Sequence, residues 1–137
     1  MIKHYLAGIA LACTLPLAMA DDHSPAYGQC MDKASSTVAM SECLKAETQV
    51  QDQRLNAVYK RLMGKLAADQ QKSLRDVQRK WLAYRDGNCQ FHRQASGGTM
   101  AQLEGGTCLM DMTRDRAAEL ERVLAPGNDG LGYRRGA

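Results

Sequence analysis

Gln78-Arg79-Lys80-Trp81-Leu82-Ala83-Tyr84-Arg85-Asp86-Gly87-Asn88-Cys89 carries the most information in this 137-residue chain. It holds the only tryptophan, a Tyr-Arg-Asp triplet and a cysteine. On a helix, Trp81 and Arg85 share one side, since residues four apart are surface neighbours. Cys89 lies near the same side at the helix end. A core anchor, an ion-pairing cation and a covalent staple therefore fall within roughly three turns.

The helix extends outward from this stretch. Leu74, Val77, Trp81 and Tyr84 step at three, four, three, the period of an inward face. Asp69 is the expected cap, and the pattern runs to about Gln94. Before it, Leu55, Tyr59, Leu62 and Leu66 repeat at four, three, four. That helix starts near Ser35 to Thr37, good N-cap types, and runs to about Ala68. Its first half, Lys45 to Arg54, is so polar that only part of it is expected to meet a core. After the break at Ser96-Gly97-Gly98, Thr99 with Gln102 makes a capping-box pattern. Met110, Thr113, Ala117, Leu120 and Leu124 give the next inward face. Gly105-Gly106 is a place for a bend or interruption, with Thr107 recapping. No convincing strand occurs. The expected fold is all-α: a small antiparallel three-helix bundle.

Residues 1 to 20 read as a secretory signal: Lys3 and His4, an apolar run from Tyr5 to Leu17, and Ala18-Met19-Ala20 before Asp21. The run is short for a bilayer span, and Ala10-Leu11-Ala12 is a poor lipidation context for Cys13, which falls in the leader. The domain is expected over 21–125, followed by a flexible tail over 126–137 after Pro126-Gly127. Export to the periplasm or the medium suits the four remaining cysteines: Cys30, Cys43, Cys89 and Cys108. An even count in a small exported chain implies disulfides. Three connectivities exist, and sequence alone does not choose. The local pairs Cys30–Cys43 and Cys89–Cys108 fit the helix layout, because Cys89 and Cys108 flank the break between antiparallel helices. A zinc site is the rival reading. It is disfavoured, since no Cys-x-x-Cys occurs and only His23 and His92 remain. No cofactor is implied.

The leader removes Lys3 alone from 18 basic and 15 acidic residues, leaving a net charge of +2. That is no nucleic-acid signature. The sign is uneven: Lys60 to Arg85 is strongly basic and Glu104 to Glu121 strongly acidic. Complementary helix faces within the bundle account for this, and a basic patch for an acidic partner is the sharper alternative. Arg85, half-buried, needs a partner, and Glu119 is the expected one. Trp81 and Tyr84 sit at core spacing. No hydrolase triad, phosphate loop or metal motif is present, so no enzyme is expected. The best contact segment is Phe91 to Thr107, where Phe91, His92, Arg93, Ser96, Gly97 and Gly98 combine an aromatic, donors and backbone that a partner approaches closely.

Taken together, Cys30 and Cys43; Leu55-Asn56 with Tyr59; Leu74 with Gln78; Trp81-Leu82 and Tyr84-Arg85-Asp86; Cys89; Gly97-Gly98-Thr99; Cys108; and Thr113, Arg116 and Glu119-Leu120 form a recognisable set. The chain resembles the N-terminal domain of the LprI-type lysozyme inhibitor family, small exported bacterial proteins. The Trp-x-x-Tyr-Arg-Asp-x-x-Cys segment is the specific part. The resemblance implies a disulfide-bearing helical bundle whose partner is lysozyme or another cell-wall hydrolase. It assigns no inhibitory residue. Such glycosidases use two carboxylates in a cleft, which Arg93, His92 or Ser96 would answer with a cation or donor. The alternatives are a periplasmic immunity protein and an envelope stress or structural protein.

Overall fold

The computed structural model describes residues 23–125. The expected leader and tail lie outside the described residues. Among the described residues there are four helices rather than three: α1 (Pro25–Lys33), α2 (Thr37–Met63), α3 (Ala68–Ser96) and α4 (Met100–Leu124). The extra one is α1. With nine residues and none buried, it is too short to show a period. It forms because Ser24 caps it, with Oγ accepting from the Tyr27 N–H, and Pro25 stands in its first turn, where the missing donor costs nothing. Its Cys30 is bonded to Cys43 on α2.

Helix α2 starts where Ser36 Oγ accepts from the Ala39 N–H, and it ends at Gly64 with Lys60 and Arg61 in its last turn. Asp69 is not the cap of α3 but an acid in its first turn. The cap position is Ala67, whose N–H donates to the Gln70 side chain at 3.1 Å. Thr99 makes no capping hydrogen bond either. Its backbone is already helical, and the turn before it is made by Gly97 and Gly98, with φ of 66° and 57°. These are left-handed values that favour glycine.

Gly105-Gly106 does not interrupt α4. Both glycines serve close packing. A Cβ at 106 would meet Leu44 Cδ1 at 3.3 Å, and one at 105 would collide with Arg93. Small residues here let α4 approach α2 on one side and α3 on the other.

Contacts between elements establish the directions. Leu44 faces Gly106 and Arg54 faces Glu121, so α2 and α4 run parallel. On α3 the order reverses: Cys89 meets Cys108, Arg85 meets Thr113 and Gln78 meets Arg116. Helix α4 is central, packed closely on both α2 and α3, whereas the α2 and α3 backbones stand farther apart and meet through side chains such as Arg85 and Asp52. The core is Leu55, Val58 and Leu62 from α2 with Ala117 and Leu120 from α4. Tyr59, Leu66, Leu74, Trp81, Val123 and Leu124 close around it. Among the described residues of α3, only Cys89 is fully buried.

Candidate functional site

Covalent and polar contacts hold the end of the α3–α4 hairpin together. The Cys89–Cys108 disulfide joins the two helices with a Cα–Cα distance of 5.4 Å. Asn88 Nδ2 donates to Cys108 Sγ at 3.5 Å and to Met112 Sδ at 3.4 Å, while Met112 Sδ lies 3.8 Å from both cysteine sulfurs. Closer to the turn, the Ser96 hydroxyl donates to Glu104 and also lies against the His92 carbonyl.

On this frame the six predicted contact residues divide. Phe91, 63% exposed, and His92 face outward with their rings edge to face, and Gly97 and Gly98 form the exposed turn. Arg93 and Ser96 turn toward α4 instead. Arg93 lies over Gly105, Nη1 donates to Gln90, and its buried Nε has no hydrogen-bond partner among the described residues. Met100, inside the expected contact segment though not singled out there, is half exposed and lines a shallow depression with His92. The tip therefore exposes two large apolar side chains, an imidazole and bare backbone.

The Trp-Tyr-Arg-Asp segment has a different place. Trp81 packs on the core, with the guanidinium carbons of Arg85 and Arg116 at 5.2 and 5.9 Å from its ring centroid. Tyr84 is not a core residue: it is 63% exposed. Arg85 does not pair with Glu119. It meets Asp86 at 2.9 Å and Asp52 at 3.5 Å, and Nη1 donates to Thr113 Oγ1 at 3.2 Å. Glu119 accepts instead from Arg116 at 2.7 Å, and Arg116 Nε donates to Gln78. The inward stripe of α3 is thus Leu74, Gln78, Trp81 and Arg85, a step of four, three, four. The polar side chains on it answer polar groups of α4.

A buried polar network was missed in the polar half of α2. Glu47 is 2% exposed, and so is Gln51. Glu47 accepts from the Ser24 N–H at 2.9 Å, from the Ser24 hydroxyl, and from Gln51 Nε2 at 2.7 Å. His23 Nδ1 lies 3.7 Å away, and its Nε2 is 2.7 Å from Arg114. Burial pushes the Glu47 carboxyl up, but the hydrogen bonds from Ser24 and Gln51 and the His23 ring together outweigh it, so its pKa falls below the ordinary value. Glu121 is also lowered, by hydrogen bonds from Arg54 against a smaller opposing effect of burial. The available signal was the continuation of the Leu55 stripe backwards through Gln51 and Glu47 to Leu44 at steps of four, four and three.

Among the described residues, no cluster of His, Cys, Asp and Glu is placed to hold a metal ion, and no helix is long and apolar enough to cross a membrane.

The tip and both disulfides fall inside a family match. The family described as "Lysozyme inhibitor LprI" matches residues 30–120. The chain belongs to the LprI family. The match begins at the first bridging cysteine and ends at Leu120 of the core. This LprI-family chain is also 29% identical over 130 residues to an uncharacterized protein of Rhizobium meliloti (strain 1021), covering 85% of this chain and 90% of that one. No solved structure matches.

Proposed function

We propose that this chain is an exported, non-enzymatic protein that binds lysozyme or a related peptidoglycan hydrolase and blocks it. The observation that carries the reading is the family match, which spans the four bridged cysteines and the core of the bundle. Two disulfides suit the periplasm or the medium, where they persist. The contact surface we assign to this activity is the α3–α4 tip: Phe91, His92, Gly97, Gly98 and Met100. A rigid aromatic anchor on a pre-organised frame limits the entropy lost on binding. His92 supplies a donor for a catalytic carboxylate, whereas Arg93 and Ser96 act from beneath by holding the turn to α4.

A cell-wall turbidity assay with purified, oxidised protein tests the reading. Lysis by at least one lysozyme class is expected to slow in proportion to added protein. Unchanged lysis across lysozyme classes and the cell's own wall hydrolases overturns it.

A further inference from the structure

A second surface lies away from the tip. Because the α2 and α3 backbones approach α4 more closely than each other, a groove of ≈ 590 Å³ runs between them. No residue of α4 lines it. Its accessible apolar lining comes from Tyr59 on α2 and Leu82 on α3, with the buried Leu55 beneath them. Along the α3 wall stand Lys72, Arg75 and Arg79, spaced three and four apart and so on one helix face.

The charges of this groove are unevenly compensated. Asp76 is taken by Arg79, and Asp52 by Arg85. Neither Lys72 nor Arg75 has an ion-pair or hydrogen-bond partner among the described residues, and both side chains are exposed. An apolar trough between two antiparallel helices, edged by uncompensated cations, matches a ligand with an apolar stripe and acids beside it. An amphipathic helix has that form and lies in such grooves by its i, i+3, i+4 and i+7 positions. Anionic chains without apolar groups would leave Tyr59 and Leu82 unused.

We infer that the α2–α3 groove is a docking site for an acidic amphipathic helix of a protein partner. The bound helix would lie beside α2 and α3 and be steered by Lys72 and Arg75. This site is separate from the tip and does not depend on hydrolase inhibition.

The test uses the full mature, oxidised chain and a fluorescein-labelled synthetic helical peptide about five turns long, long enough to hold its helix. The peptide carries leucines on one face and glutamates beside them. Fluorescence polarisation is expected to give a Kd on the order of micromolar, weakening as salt rises. A Lys72→Glu, Arg75→Glu variant should bind at least about tenfold more weakly, and Leu82→Asp should lose binding as well. Both should keep the wild-type circular dichroism spectrum and a wild-type thermal midpoint. Wild-type affinity in the charge-reversed variant overturns the inference. So does equal competition by polyglutamate or poly(glycerol phosphate), which would show polyanion binding alone. A concentration-dependent dimer that the peptide dissolves would assign the groove to a second copy and also overturn it.

Discussion

Gly105 lies directly beneath the Arg93 side chain: a Cβ at position 105 would stand 2.8 Å from Nε and 3.2 Å from the Arg93 Cβ. Replacing a helical glycine by alanine ordinarily gains about 0.5–1 kcal/mol. At Gly87, where an added Cβ meets nothing within 4 Å, that gain is expected in full. At Gly105 the overlap reverses the sign, for a net loss of about 1 kcal/mol. Urea unfolding midpoints of Gly87→Ala and Gly105→Ala should move in opposite directions. Adding Arg93→Ala to the second should recover part of the loss.

Arg85 and Glu119 belong to separate ion pairs. A double-mutant cycle between Arg85→Ala and Glu119→Ala should therefore give a coupling energy near zero, since the two share no partner. The cycle between Arg116→Ala and Glu119→Ala should give about 0.5–1 kcal/mol, kept small because Glu119 is largely exposed. A substantial Arg85–Glu119 coupling would contradict the arrangement described.

Glu47 makes the bundle sensitive to acid. Its folded pKa lies below the unfolded value, so its contribution is present at neutral pH and lost as pH falls below about 4.3 and through the folded pKa. Glu121 acts in the same direction. Glu47→Gln should cost about 2 kcal/mol at pH 7, the range for hydrogen bonds to a charged group. The gap between variant and wild type should narrow toward pH 3. Thermal melts across this range read it directly.

The contact role proposed for the tip can be tested apart from stability. Phe91→Asp should reduce hydrolase inhibition by at least about tenfold and leave the unfolding midpoint unchanged, since the ring is exposed. Replacing Cys89 and Cys108 together by serine should cost about 3 kcal/mol in the chain-entropy account of a loop this size. Inhibition by that variant should fall as the tip loosens.

These residues also show what the sequence revealed and what it hid. Leu55, Leu62, Ala117 and Leu120 were legible because apolar residues at helical spacing have one good place to go. Tyr84 misled for the same reason. Apolarity picks out Leu74, Val77, Trp81 and Tyr84, whereas the inward stripe runs through Gln78 and Arg85, rotated to one side. Those polar positions are inside because α4 offers them Arg116 and Thr113, and no single helix shows what its neighbour offers. Glu47 and Gln51 were hidden likewise, since Ser24, 23 residues before Glu47, supplies two of the donors. The break at Gly97-Gly98 was legible as a turn, but the loop expected from Phe91 to Thr107 is mostly helix, with Phe91 on α3 and Met100 to Thr107 on α4. That Arg93 points inward depends on Gly105, across the turn.

Each bridge joins cysteines that are neighbours in chain order: Cys30 with Cys43, then Cys89 with Cys108. An oxidant that links thiols in the order they emerge makes these two bonds directly. The α1–α2 corner can be sealed before the α3–α4 hairpin has been delivered, and neither bond needs reshuffling through a mixed intermediate. The distant event, α4 settling along α2, is then left to reversible packing, which can correct its own register.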